Sequence, residues 1–348
     1  MVDIPGLFAG QVADCRALGS PFIARVLDMV PGLLDPDSAL GRRVLTAPAL
    51  PEEKLPLRLA GALHALARAG DGDLAPVYPP HQASDAALAR ALGRTLTRAG
   101  ATILPWLDHP PQTNEVARSA VLIAVGHWLT ARYGLPLILS ELGASAGVNL
   151  LWDHYALDLP GLRLGPSDAV LSLTPDWRGD LPPLAPPQVL GRAGVDLAPL
   201  DPVADRARLL AFIWADQTAR LARCAAALDL AARLRPAVAR GDAGDWAGDW
   251  AGARLPQVQA QAPAAHLIFH TVAATYFSGA TTRRWQSALA RAGAAATPDR
   301  PLAHLAMEGD GPAPGAALTL TLWPGALVIP LGRADFHGRW VDWQAPAP

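Results

Sequence analysis

Residues 136–149 read PLILSELGASAGVN, and this passage restricts the fold more than any other in the chain. Leu137, Ile138 and Leu139 form an apolar run with no polar alternation, which is the pattern of a strand buried on both faces. A strand covered on both faces needs helices on both sides of its sheet. Gly143 permits a tight turn directly after it, and Gly147 permits close approach of a following helix, with free backbone N–H groups facing a ligand. Downstream, strands are predicted over 188–200, 237–241, 266–272, 301–307, 317–323 and 326–331. Helices are predicted over 204–234 and 281–292, and the last three strands follow one another closely enough to be antiparallel. Strands alternating with helices predict an α/β sheet.

The chain before this strand has a different character. Leu59, Leu63 and Leu66 recur at helical spacing with Gly70 where a C-terminal cap belongs. Leu88, Leu92 and Leu96 repeat the pattern between an N-cap at Ser84 and a stop at Gly100. A third helix starts near Thr113, carries Val116, Ala120 and Ile123, and ends at Gly134. The expected organisation is a helical domain or cap over 1–133 and an α/β domain over 134–348, interrupted by a Pro- and Gly-rich insertion at about 155–187 with one short hairpin. The tandem AGDWAGDWAG (243–252) is a local duplication.

Composition removes several function classes. Half of the 348 residues are hydrophobic, so a large core is available. The net charge of −2 gives no electrostatic footprint for nucleic acid. Cys15 and Cys224 belong to no C-x-x-C pair, and the nine histidines form no H-x-H or H-E-x-x-H spacing, so neither a disulfide framework nor a metal site is expected. The apolar stretch Ala120 to Leu129 is shorter than the roughly 20 residues of a membrane span. With no signal peptide at the N-terminus, a cytoplasmic location is expected.

The turn itself fits two chemistries. Glu141-x-Gly143-x-x-x-Gly147 resembles the acid-x-G-x-x-x-G loop of class I S-adenosylmethionine-dependent methyltransferases, with Ser145 in place of the middle glycine. That resemblance implies a Rossmann-like methyltransferase-type sheet that binds S-adenosylmethionine. Gly143, Ser145, Gly147 and Asn149 would shape the loop, and Glu141 would orient the ammonium group. Asp196 would take the ribose, with Asp201 its competitor, and Asp242 the adenine edge. The methyl acceptor would be a small molecule of unspecified class. The same GASAG also matches G-x-S-x-G, the nucleophile elbow of α/β-hydrolases, with Ser145 as nucleophile, Asp242 as acid and His304 or His337 as base. A third reading makes the loop a helix–sheet packing device in a non-catalytic binding module.

Two more segments carry candidate chemistry. Gln112-Thr113-Asn114-Glu115 precedes an apolar helix, where Thr113 or Asn114 can cap backbone N–H groups and Glu115 suits the helix dipole; Asn114 and Glu115 are also candidate catalytic groups. His270 closes the apolar run HLIF at the C-terminal end of a strand, where open α/β sheets keep their ligands, with Tyr276 shortly after. His270 or Glu115 would remove a proton from the acceptor.

In order, CRALGSP (15–21), LPLRLAGALHAL (55–66), QTNEVARSA (112–120), ELGASAGVNLLWD (141–153), DLAPLDP (196–202), IWADQTARLAR (213–223), LIFHTVAATY (267–276) and LTLWPG (320–325) resemble the bacterial domain-of-unknown-function 2332 family over nearly the whole chain. That resemblance implies a single evolutionary unit, with a helical N-terminal part attached to the Rossmann-like core, and supplies no reaction.

Overall fold

A computed structural model of the chain describes residues 4–46, 54–112, 114–246, 263–311 and 313–348. Thr113 and the second half of the AGDW tandem lie outside the described residues. The chain divides into two compact units, Met1–Thr113 with Ala204–Ala225, and Asn114–Val203 with Ala226–Pro348.

The first unit is helical. Ile4–Ala17, Pro21–Leu33, Leu55–Arg68 and Asp85–Arg98 supply Phe8, Ile23, Leu27, Leu59, Leu63, Leu88 and Leu92 to one core. Ser84 Oγ accepts the Ala87 N–H at 3.3 Å, so the predicted N-cap is formed. Gly70 follows the end of its helix at φ +85°, in the left-handed conformation a C-terminal cap requires. The helix Asp85–Arg98 stops at the cap residue Ala99, directly before Gly100 as expected, and a separate turn, Gly100–Ile103, begins there. The predicted helix over 204–234 is broken, into Arg206–Ala211 and Thr218–Leu234. Tertiary contacts draw out the residues between. The Phe212 ring fills the space left by Gly61, where a Cβ would sit 2.7 Å from it. The Asp216 carboxylate accepts the Phe22 N–H at 2.8 Å and the Ser20 hydroxyl at 2.5 Å, capping Pro21–Leu33.

The second unit is built on a sheet. Its strands are β1 (Leu137–Leu142), β2 (Ala156–Leu159), β3 (Leu162–Leu164), β4 (Ser172–Leu173), β5 (Asp176–Gly179), β6 (Val189–Asp196), β7 (Ala237–Arg240), β8 (Ala265–Thr271), β9 (Leu302–Glu308), β10 (Ala316–Trp323), β11 (Leu327–Ala334) and β12 (Trp340–Trp343). Nine of these form one mixed, largely parallel sheet in the order β5-β12-β11-β10-β9-β8-β1-β6-β7. β7, β6, β1, β8 and β9 run parallel, and β10, β11 and β12 continue as an antiparallel meander, the tight spacing of the last predicted strands having signalled its start. The stretch at 155–187 holds the expected hairpin, β2 with β3, but also β5, which pairs with β12 at the sheet edge. β5 (DWRG) carries no apolar alternation; its partner strand, 160 residues away, supplies the reason it is extended.

All six residues of β1 are buried, as the unalternated apolar run requires. One sheet face packs Leu142, Val195, Ile268 and Leu302 against Trp285, Ala288 and Leu289 of the helix Gly279–Ala294. The helix Ser119–Tyr133 is buried all round from Ser119 to Leu129, which explains an apolar stretch too even to be amphipathic. It ends at Gly134, φ +64°, as predicted. Gly126 in this helix lies against Trp152, and an added Cβ would stand 2.2 Å from Cη2 of that ring. Gly93, in Asp85–Arg98, has nothing within 4 Å. Gly126→Ala is therefore expected to cost about 1–3 kcal/mol by overpacking, whereas Gly93→Ala gains about 0.4–1 kcal/mol. Urea unfolding of the two variants checks the contrast; equal effects would remove the Trp152 contact as its cause.

Candidate functional site

Strand order reverses at β1, since β6 and then β7 lie to one side of it and β8 and β9 to the other. Connections leave in opposite directions at such a point and open a crevice at the C-terminal strand ends. A pocket of about 170 Å³ occupies this position, with Gly143 after β1, Asp196 and Leu197 at the end of β6, Asp242 after β7, and Tyr276 and Phe277 after β8 in its wall. Sequence positions more than 130 apart are brought to one pocket by the parallel register alone.

The glycine loop differs from expectation in two respects. No α-helix follows it; Asn149–His154 is a 3-10 turn with a kink at Leu151. Its N–H groups are not free either. Gly143 and Ala144 both donate to the Val195 carbonyl (2.9 and 3.0 Å), Ser145 donates to Asp196 Oδ2 (2.8 Å), and Gly147 to the Ala144 carbonyl (2.7 Å). Gly147 faces Pro236 and Val238, which an added Cβ would approach to 2.9 and 3.0 Å, so it is a packing glycine. Gly143 lines the pocket, and its Cβ position lies 2.6 Å from that of Ala273.

Below the loop Glu141 is 2% exposed, and its Oε2 has no hydrogen-bond partner. Burial raises its pKa well above the ordinary carboxyl value, and the charge of Asp196 adds to the effect, against Arg118 and an Asn149 hydrogen bond that lower it. Asn149 also accepts the Ser119 hydroxyl at 2.9 Å, so it supports Glu141 from within the fold. Glu115 accepts the Ala117 N–H at 3.1 Å and caps the 3-10 turn Val116–Arg118, the capping role expected of its neighbours Thr113 or Asn114. Asn114 has φ +40°, and its Nδ2 is buried and unpaired.

The two acids beyond the loop are held differently. Asp196 accepts one backbone N–H on each oxygen, Ser145 on Oδ2 and Ala198 on Oδ1, and keeps further lone pairs. Asp242 caps the turn Ala243–Asp245, and also accepts Thr281 Oγ1 (2.5 Å) and Arg284 Nη2 (2.9 Å). Its oxygens are committed to structure, so it shapes the pocket wall. Asp201, the competitor of Asp196, pairs with Arg235 at 2.8 Å and is not in the pocket wall.

The triad of the hydrolase reading is not assembled. Ser145 has φ +50°, but its Oγ is buried without a hydrogen-bond partner. His304 packs on His270 and Trp285 with ring centroids 5.1 and 5.0 Å away, and Asp242 bonds Thr281 and Arg284 instead of a histidine. His337 belongs to the loop after β11, where its N–H is held by Asp335.

His270 is buried at the end of β8, with Nδ1 2.7 Å from Glu308 Oε1. The same oxygen accepts the N–H groups of Ala273 (2.9 Å) and Ala274 (3.0 Å). Burial raises the Glu308 pKa, but His270 and those N–H groups outweigh it and leave the carboxyl below its ordinary value. Arg118 spans the same edge, donating to the carbonyls of Thr271 and Phe336 at 2.8 Å each.

The model of a family described as an uncharacterized protein conserved in bacteria, domain of unknown function 2332, matches residues 6–343. The chain belongs to this family. No curated protein matches it.

In this member of domain-of-unknown-function 2332 the conspicuous stretches thus meet at one sheet edge: 114–120, 141–149, 196–198 and 267–276 all supply residues to it. Sequence reading missed Glu308, Leu197 and Arg118. A signal for Glu308 existed, because LAHLAMEG repeats the plan of LILSELG, an apolar strand closed by Glu and Gly. For Arg118 nothing local distinguished it from any other arginine.

Glu141 generates a test. A carboxyl whose folded pKa is raised costs nothing below its ordinary titration range, and its cost grows as pH rises through that range. Glu141→Gln is therefore expected to unfold at higher denaturant than wild type at pH 8 and to lose that advantage at pH 4. A destabilised variant at pH 8 would mean that Glu141 is paired as an ion.

Proposed function

We propose that this protein binds S-adenosylmethionine at the β1 switch point and transfers its methyl group to a small molecule. The observation that carries the reading is the pocket wall: one glycine loop from β1 and one carboxylate from the end of each of the next two parallel strands, β6 and β7. Asp196 has lone pairs left for a ribose diol. Leu197 and Tyr276 are large side chains left exposed beside the pocket, 66% and 78% accessible, and a flat base between them would cover both. The unpaired Oε2 of Glu141 suits an ammonium group, which would add a positive charge to that of Arg118.

The loop's own hydrogen bonds favour a nucleoside over a nucleotide. A pyrophosphate is held by free N–H groups at the start of an α-helix. Here those of Gly143, Ala144, Ser145 and Gly147 are spent within the protein, and a 3-10 turn follows. A sulfonium nucleoside needs no such cradle. When bound it supplies an electrophilic methyl group. The protein's part is to orient it and to hold the acceptor in line.

Thermal unfolding with S-adenosylmethionine or S-adenosylhomocysteine tests the reading. At about 100 times the dissociation constant, a ligand stabilises by about 2.7 kcal/mol. Leu197→Ala and Tyr276→Ala, both at exposed positions, are expected to leave the unliganded protein as stable as before. Leu197→Ala weakens binding a few-fold by loss of apolar cover, and Tyr276→Ala about tenfold, from stacking worth roughly 1–3 kcal/mol per base. Asp196→Asn is expected to weaken it by a similar factor. No shift with either compound at millimolar concentration would refute the assignment.

A further inference from the structure

β8, β9 and the helix Gly279–Ala294 packed on them hold a second set of polar atoms that the nucleoside pocket leaves unused. His270 Nε2, His304 Nε2, Trp285 Nε1 and Glu308 Oε2 are buried and make no hydrogen bond. Buried polar groups are nearly always paired, so four unpaired ones in one cluster mark a place where a ligand or ordered water completes the fold. The His270 ring lies 5.1 Å from that of His304, 5.4 Å from Trp285 and 6.3 Å from Phe277, and Phe277 is also a wall of the pocket.

The two nitrogens of His270 have different surroundings. Nδ1 meets Glu308 Oε1 at 2.7 Å, and Glu308 is itself fixed by Ala273 and Ala274. A neutral imidazole held in this way carries its proton on Nδ1 and presents a lone pair at Nε2. His304 has no carboxylate beside it, and burial, with His270 adding to the effect, pushes its pKa well below the ordinary value. It serves as a neutral wall. The turn after His270 is strained: Val272, a β-branched residue, has φ +53°. Such strain persists only where its surroundings impose it, and it gathers at functional sites. Here it turns the chain so that the next two N–H groups reach Glu308.

We propose that His270 and Glu308 form an acid–base dyad in which His270 Nε2 takes the proton of a phenolic hydroxyl group and Glu308 is the positioning residue. The O–H bond breaks, its electron pair stays on oxygen, the proton moves to Nε2, and the Glu308 carboxylate balances the imidazolium. A carboxylate acceptor is already ionised and would need no base, whereas a phenol does. Trp285 and His304 pack on the His270 imidazole and on each other, and Phe277, 6.3 Å from that imidazole and in the pocket wall, is the ring that suits a flat aromatic molecule. Only the fate of the phenolate oxygen, as methyl acceptor, rests on the function proposed above; the proton transfer does not.

The test uses the full chain with ¹⁵N-labelled histidine, phenol as probe, and S-adenosylhomocysteine absent or present. Neutral His270 is expected to carry its proton on Nδ1, and its Nε2 resonance to move saturably with phenol. Glu308→Leu should shift the proton to Nε2 and abolish the phenol response, and Glu308→Asp should restore both. His270→Gln, which leaves the Glu308 anchor in place, assigns that resonance by its disappearance and should abolish saturable phenol binding measured by calorimetry. A native His270 protonated on Nε2, a tautomer indifferent to Glu308→Leu, or no response to phenol overturns the dyad. A dyad that responds as expected in a protein that S-adenosylhomocysteine does not stabilise would overturn the methyl-transfer reading alone.

Discussion

The hydrogen bond from the Ser145 N–H to the Asp196 carboxylate, 2.8 Å long, ties the end of β1 to the end of β6, and the crevice depends on it. Beside it, one carbonyl, Val195, accepts both Gly143 and Ala144. These three bonds take up the N–H groups that a turn without a following α-helix would otherwise leave unpaired. They hold the loop down on the β6 side. On the other side Gly143 meets Ala273 closely enough that any side chain there would displace the turn after β8. The two loops flanking β1 are thus locked to it from opposite directions, and the pocket is the gap between them.

Part of the cost of the arrangement falls at the same edge. Asn114, Ser145 and Val272 occupy left-handed backbone conformations, and Glu141, Ser145, His270 and Glu308 each keep a buried polar atom without a partner. The centre of the sheet is largely apolar, and its buried Ser140 and His266 are hydrogen-bonded to each other at 2.8 Å. Strained backbone and unpaired polar atoms thus accompany the proposed chemistry, as expected of a scaffold that carries a site. Among the described residues they also occur elsewhere, at Lys54, Arg235 and Ala326 for the backbone and at Tyr78 and Thr95 for the side chains.

Whether an element's cause is local explains what could be read in the sequence. β1, β8 and β9 were legible because burial on a sheet leaves apolar runs, β10 because its buried positions alternate, and Ser84, Gly70 and Gly134 because helix ends demand particular residue types. β5 was not, since DWRG is extended only by virtue of β12. Nor was the break at 212–217, which exists because Asp216 caps a helix nearly 200 positions earlier in the chain. At the site, Glu141 and Gly143 were read from the loop pattern, and Asp196 and Asp242 from their places after predicted strands. Gly143, Asp196 and Asp242 line the pocket and Glu141 is buried, whereas the assignment of free N–H groups to the loop failed because the acceptors of three of them lie on another strand. Glu308 shows the same limit from the other direction: its partner His270 was evident, but a pairing across 38 residues has no local pattern.

The strand order also divides the chemistry of the edge. Two antiparallel steps from β9 return β11 to the direction of the parallel strands, so the loop after Ala334 emerges beside the ends of β8 and β9. Arg118 bridges these loops through the carbonyls of Thr271 and Phe336, and Gly338 lets the last of them approach Ala117, where a Cβ would stand 2.6 Å from its backbone. On the β6–β7 side the groups are two carboxylates and the exposed Leu197, suited to a neutral diol and, with Tyr276 across from them after β8, a flat base. On the β8–β9–β11 side they are an arginine, an imidazole and a carboxylate beneath aromatic rings, suited to moving a proton. Glu141 stands at the seam of the two, on the strand where the order reverses. A ligand spanning that seam would place one end on each side, and the fixed spacing of parallel strands would set the distance between the proton acceptor and the pocket without any motion of the loops.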